Sequence, residues 1–132
     1  MKKSGIINHD LSEVISRMGH TDMLTVCDAG LPIPDDNWRI DLALKNGQPG
    51  LEETLEVIAV ELQVERAIVA SEMLTASPHI EQVVRRIFPD SEIQTISHTE
   101  FKQLSHQSKA FVRTGEFTPY ANVILVSGIW GF

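Results

Sequence analysis

A single cysteine, Cys27, stands among 132 residues, so no internal disulfide framework can brace the chain, and a reducing compartment fits it best. Long apolar runs are missing too. Val123–Val126 and Ala67–Ala70 are far too short to cross a bilayer. Asn8-His9-Asp10 interrupts any signal-peptide core behind the two N-terminal lysines, so a cytoplasmic location is expected. Cations are scarce, eleven Lys and Arg against eighteen Asp and Glu, for a net charge of −7. A nucleic-acid binder needs clustered cations to displace phosphate counterions; here they are scattered, and Arg85-Arg86 reads as a solvated helix face. The acidic balance argues equally against an anionic membrane surface, leaving a neutral small molecule or another protein as partner. Several motifs are also missing. No GxGxxG follows a strand, and no GxxxxGK[ST] supplies a phosphate cradle. No GxSxG elbow presents a serine nucleophile.

What is present is globular: 42% hydrophobic and 22% charged residues. No linker, charge block or repeat divides the sequence, which reads as one domain over residues 1–132. Asp10, with Glu13 three residues on, looks like an N-cap, and Leu11, Val14, Ile15 and Met18 form a helical stripe ended by Gly19. Met23–Cys27 reads as a strand closed by Asp28-Ala29-Gly30-Leu31-Pro32-Ile33-Pro34. Arg39–Leu44 predicts a short strand. After Gly47-Gln48-Pro49-Gly50 comes a helix with Leu51, Leu55, Ile58 and Leu62 inward. Arg66–Ser71 predicts a buried strand, Ser77-Pro78 a helix start and Ile93–Ser97 another strand. Thr99 is expected to cap a helix to Ser105, and Lys109–Arg113 and Asn122–Ser127 predict two last strands. This alternation implies a three-layer α/β/α sandwich around a mixed, mostly parallel sheet, with the terminal strand pair as the candidate antiparallel element.

Five histidines invite a metal reading, but metal sites need tight spacings such as HExxH, which do not occur here. No metal and no cofactor are expected. His9, His79 and His106 sit at predicted helix ends, where capping or exposure explains them. Cys27 lies inside a strand beside Asp28, which disfavours a thiolate, so a buried structural thiol is expected. His20 and His98 differ, since each occupies a turn at a predicted strand end, where α/β folds gather functional side chains. An imidazole can give or take a proton near neutral pH. The bland alternatives are that the helix dipole favours His20 after Gly19 and that Asp28 merely fixes an Asx-turn. The stretch Arg113-Thr114-Gly115-Glu116-Phe117-Thr118-Pro119-Tyr120-Ala121-Asn122 mixes hydrogen-bonding groups with an aromatic ring, as sugar sites do.

At these residues the chain resembles the D-ribose pyranase family, relatives of the fucose mutarotases. The matching pieces are Gly19-His20-Thr21-Asp22, Asp28 to Pro34, Arg39-Ile40-Asp41-Leu42-Ala43-Leu44, Ser97-His98 through Glu100-Phe101-Lys102, Arg113-Thr114-Gly115-Glu116, and Pro119-Tyr120-Ala121-Asn122. The resemblance implies an enzyme that interconverts pyranose and furanose forms of D-ribose. It implies a catalytic His20, sugar contacts at Asp28, His98, Lys102, Tyr120 and Asn122, and a homo-oligomeric ring with sites at subunit interfaces. The Gly-Leu-Pro-x-Pro turn and the Thr-Pro-Tyr-Ala-Asn loop favour the ribose branch over a fucose-type mutarotase. Asp35-Asp36-Asn37-Trp38 and the ending Trp130-Gly131-Phe132 depart from the family's pattern. A non-catalytic sugar-binding or regulatory subunit is the alternative from another class, and a metal-dependent hydrolase stands third.

Geometry adds one expectation. His20 and Asp28 lie eight positions apart around a strand that rises about 3.3 Å per residue, so they stand on the order of 25 Å apart if it is straight. One sugar cannot span that. Either the Asp28–Pro34 turn folds back sharply or His20 serves a neighbouring subunit's site, and the second is the expectation.

Overall fold

The computed structural model describes residues 1–131; of the Trp130–Phe132 ending, Phe132 lies outside the described residues. In chain order these residues form α1 (His9–Arg17), β1 (Met23–Cys27), β2 (Arg39–Asp41), α2 (Leu51–Glu61), β3 (Val64–Ala70), α3 (Met73–Ala76), α4 (Pro78–Ile87), β4 (Glu92–Ile96), α5 (His98–Ser105), β5 (Ala110–Arg113) and β6 (Val123–Ser127). The six strands make one sheet in the order β2-β5-β1-β6-β3-β4.

Side chains alternate across a strand, and here the alternation sorts the core into two layers. Leu24 and Val26 of β1, with Val123 and Leu125 of β6, face Leu11 and Val14 of α1, Leu51, Leu55 and Ile58 of α2, and Ile80 and Val84 of α4. Cys27, Phe111, Ile124 and Val126 face the other way, against Phe101 of α5 and Leu31 and Ile33 of the loop after β1. Fully burying a Leu or Ile contributes about 1.5–3 kcal/mol, so both faces of β1 and β6 are anchored. The result is the three-layer sandwich expected from the sequence.

The mixed character of the sheet arises differently from the expectation. β5 and β6 do run in opposite directions, but they do not pair. β1 lies between them, parallel to β5 and antiparallel to β6. β6 is also antiparallel to β3, so the antiparallel strand sits in the middle of the sheet. A strand buried on both faces reads as a near-continuous apolar run, and β6 is buried throughout, apolar from Val123 to Val126 and closed by Ser127.

Three local expectations change. The N-cap of α1 is Asn8, whose Oδ1 accepts the Leu11 N–H at 2.9 Å; Asp10 lies within the first turn. Ser97, rather than Thr99, caps α5 by accepting the Glu100 N–H, which makes His98 its first helical residue. The strand at Arg39 ends at Asp41, and the one-turn helix α3 has no periodic signal in its four residues. Arg85 and Arg86 pair with Glu81 and with Glu52 and Glu56 on exposed surfaces, as a solvated face should.

Cys27 is fully buried. Burial first, then the Asp28 charge beside it, pushes its thiol pKa up to about 12. The thiolate is the reactive form, so native protein at pH 8 should leave an aromatic disulfide reagent unreacted, with one thiol titrating only after unfolding in denaturant. Fast modification of the native protein would contradict this packing.

Candidate active site

Antiparallel pairing brings the C-terminal end of β1 against the N-terminal end of β6, with Val26 opposite Val123. Just beyond that pair, Asn122 Oδ1 accepts the Asp28 N–H at 2.8 Å, and Asn122 Nδ2 donates to Asp28 Oδ2 at 3.2 Å. Asp28 Oδ1 accepts the N–H groups of Gly30 and Leu31 at 3.0 and 2.9 Å. Asp28 is thus an Asx-turn residue, as its bland reading held. Its Oδ2 nevertheless keeps acceptor capacity, since an ionised carboxylate offers about four lone-pair sites.

Asp28, Gly30, Leu31, Pro32, His98, Pro119, Tyr120 and Asn122 line a cleft of about 330 Å³, at the small end of ligand pockets. Four of the residues singled out in the sequence therefore converge. His98 is held by packing and by its backbone. Its N–H donates to both carboxylate oxygens of Glu72, at 3.1 and 3.2 Å, and its ring stands edge-on to Tyr120 at 5.0 Å and stacks on Phe101 at 6.4 Å. Among the described residues, His98 Nδ1 is buried without a partner. An orphaned N–H costs more than a bare lone pair, so the proton belongs on Nε2, which is then a donor.

Tyr120 has a left-handed backbone, φ 57°, which is strained for a bulky residue and marks functional sites. The surrounding loop holds it there. Ser77 Oγ donates to Pro119 O at 2.7 Å, and Ala29 N donates to Glu116 O at 2.8 Å. The Glu116 carboxylate accepts from Leu51 N and Thr118 Oγ1. Burial opposes its charge, but those donors prevail and hold its pKa below the usual value. One glutamate thereby ties the cleft loop to the start of α2.

Two expected site residues stand elsewhere. Lys102 follows His98 by one turn of α5, on the same helix face, but is not among the lining residues. His20 lies at the opposite end of β1, where the Thr21 N–H donates to Ser127 O at 2.9 Å. Its Nε2 is 2.9 Å from Glu65 Oε2, so the ring is committed to a carboxylate rather than to the last carbonyls of α1. Spacing had called for this separation. Sequence reasoning missed Glu72 and Glu65, two ordinary surface glutamates to any periodicity argument.

Another crevice, of about 350 Å³, lies beside α1 and α2. Its polar residues are engaged in helix starts: Asn8 with Leu11 N, Glu53 with Gly50 N, and Thr54 with Gly50 O. Among the described residues, His9, Asp10 and Glu13 bring ligand-type atoms close together. They sit exposed on α1, where His9 contacts Asp10 and Glu13 pairs with Arg17, and contribute nothing to the cleft.

A small polar cleft at one end of a mixed α/β sheet, with an imidazole, a carboxylate, an amide and a phenol around it, has the hydrogen-bonding groups that a small hydroxylated molecule needs. The chain belongs to the RbsD / FucU transport protein family, which it matches over residues 1–130. It is 51% identical over 129 residues to a D-ribose pyranase of Chloroflexus aggregans, covering 98% of both chains, and equally close to one of Clostridium perfringens. Among solved structures it matches Bacillus subtilis RbsD complexed with D-ribose, with TM-score 0.94 and 45% identity over 98% of both chains. It shares its fold with a fucose mutarotase of Streptococcus pneumoniae complexed with L-fucose, at TM-score 0.83 and 24% identity, covering 97% of this chain and 99% of that one.

Burial, the largest influence, raises the Asp28 pKa above the ordinary aspartate value, while the N–H groups of Gly30 and Leu31, the Asn122 amide and the His98 charge pull it down. Between the ordinary value, about 3.9, and the raised one, the folded state binds more protons than the unfolded. Asp28 therefore subtracts from stability as pH rises through that window. Carboxyl ¹³C NMR should find Asp28 titrating above the ordinary value. Asn122→Ala should move it higher still and, by orphaning the Asp28 N–H, cost about 1–3 kcal/mol. A downward move would contradict this assignment of the hydrogen bonds.

Proposed function

We propose that the protein is a D-ribose pyranase, a mutarotase that interconverts the pyranose and furanose rings of D-ribose by acid–base ring opening and closure. The observation that carries this reading is the convergence of Asp28, His98, Tyr120 and Asn122 on one small cleft, in a chain 51% identical to D-ribose pyranases along nearly its whole length. Ribose is favoured over fucose because the neighbour complexed with D-ribose shares 45% identity, against 24% for the fucose mutarotase.

The reaction needs no redox step. A proton leaves the anomeric hydroxyl, the bond between C1 and the ring oxygen breaks as the C1 carbonyl forms, and the ring oxygen gains a proton. The open aldehyde then closes through its other hydroxyl. In the cleft, Asp28 Oδ2 accepts a sugar hydroxyl, His98 Nε2–H donates to one, and the Asn122 amide serves a third. Tyr120 offers its ring face or its phenol, and Lys102 adds a donor from the next turn of α5. His20 carries the proton. Because it lies at the far end of β1, a neighbouring subunit supplies it, and a homo-oligomeric ring with sites at its interfaces follows. No helix among the described residues is long and apolar enough to cross a membrane.

General acid–base help is worth about 10²–10⁴-fold. Saturation-transfer NMR on D-ribose should show enzyme-accelerated exchange between pyranose and furanose signals, and His20→Ala should lower that acceleration by a factor in this range. Acceleration with L-fucose alone would assign the fucose branch. Ribose binding without acceleration, unchanged by His20→Ala, would make the protein a non-catalytic sugar-binding subunit.

A further inference from the structure

We infer that Glu65 is a positioning residue for His20: its carboxylate holds Nε2–H and leaves Nδ1 as the nitrogen that exchanges protons with the sugar. The inference rests on the proposed role of His20 in ring opening, and it names an atom and a partner that this role alone does not. Glu65 Oε2 lies 2.9 Å from His20 Nε2. An ionised carboxylate only accepts hydrogen bonds, so Nε2 must carry the proton in this pair. A neutral imidazole then has its lone pair on Nδ1, and the hydrogen bond of one ring nitrogen sets the role of the other.

The local backbone is shaped for this contact at both partners. The pairing of β3 with β6 shifts register between Val64 and Arg66, so Glu65 is the extra residue of a β-bulge, a device that re-aims a side chain and is common beside active sites. Gly128 lies against it: a Cβ there would come within 3.1 Å of Glu65 Cβ and 3.3 Å of its backbone nitrogen. A bare glycine thus leaves room for the bulge, and its N–H donates to Gln63 O at 2.8 Å. On the other partner, Thr21 adopts φ 72°, an unfavourable conformation for a β-branched residue, and its N–H is tied to Ser127 O. A bulge, a close-packed glycine and a strained threonine meet around one half-exposed hydrogen-bonded pair. Surface ion pairs of this exposure are worth little to stability, so stability alone does not account for that much backbone distortion.

During ring opening, Nδ1 takes the proton of the anomeric hydroxyl while C1 gains its carbonyl bond and releases the ring oxygen. The imidazolium then returns that proton to the ring oxygen. Glu65 is not consumed; it orients the ring and faces the positive charge that forms. The other charged groups around this turn are Asp22, whose Oδ2 accepts the Gly19 N–H at 2.8 Å, Lys109, 3.8 Å from Asp22 Oδ1, and Arg66, the next residue of β3.

The test combines ¹⁵N NMR of the His20 ring with ribose exchange rates of full-length wild type, Glu65→Ala, Glu65→Gln, His20→Ala and His20→Ala/Glu65→Ala. Neutral His20 in wild type should show the Nε2–H tautomer, and Glu65→Ala should move it towards a mixture. Glu65→Ala should lower kcat by about 10- to 100-fold, within the range of acid–base help, with KM changed by no more than about twofold. Glu65→Gln, which still offers an acceptor, should recover part of kcat. In the His20→Ala background, removal of Glu65 should have no further effect. An Nδ1–H tautomer in wild type would overturn the inference, as would Glu65→Ala with wild-type kcat beside an impaired His20→Ala. A His20→Ala variant at wild-type rate would instead overturn the functional reading, and the catalytic role of Glu65 with it.

Discussion

The antiparallel ladder between β1 and β6 is the constraint on which the site depends. Its four paired positions, from Met23 with Val126 to Val26 with Val123, fix both ends of β1 against both ends of β6. At one end the ladder runs into the reciprocal Asp28–Asn122 hydrogen bonds. At the other it runs into the bond from the Thr21 N–H to Ser127, which sets His20 in its turn beside Glu65. Both strands are packed on both faces by the two core layers, so neither end can drift along the other. Close-packed interiors deform little, which makes the separation of cleft and His20 a rigid property of the fold.

That rigidity gives each end its own electrostatic character. At the cleft end, partial burial lifts the Asp28 pKa, and four hydrogen-bonding partners or charges pull it back. Such a carboxylate is suited to hold hydroxyls rather than to take part in a large charge change. The His20 end is open, with both ring and partner glutamate about half exposed. An open imidazole can be covered by another molecule and lose water when it is. Electrostatic interactions strengthen as water leaves, so assembly would both complete the cleft and sharpen the His20–Glu65 pair.

Much of this was legible in the amino-acid sequence, for physical reasons. β1 was bounded correctly because its apolar run ends in Asp28 and two prolines that cannot stay in a strand. The inward stripe of α2 was readable because Leu51, Leu55 and Ile58 repeat at helical spacing. The Asx-turn at Asp28 followed from side-chain chemistry alone. Contacts across long sequence separations were not legible. Asp28 and Asn122 are 94 residues apart, and only family resemblance had put them in one site. The position of β6 between β1 and β3 was hidden because short connections favour pairing of consecutive strands, whereas here β1 intervenes. The Asn8 cap was masked by Asp10 and Glu13, which imitate a capping box three residues apart. Glu65 could not have been found by pattern, since a bulge leaves no periodic trace and a glutamate next to Arg66 reads as surface.

The central claim is that one subunit's cleft is completed by the His20 of another. Mixing does more than any single substitution to test it, because a shared site predicts complementation between two inactive proteins. His20→Ala and Asp28→Ala subunits, each without exchange activity alone, should be dissociated, combined and reassembled, and pyranose–furanose exchange of D-ribose measured on the mixture. The account predicts restored exchange, carried by those interfaces that join an intact cleft to an intact His20. Mixed assemblies that form but show no exchange would contradict it.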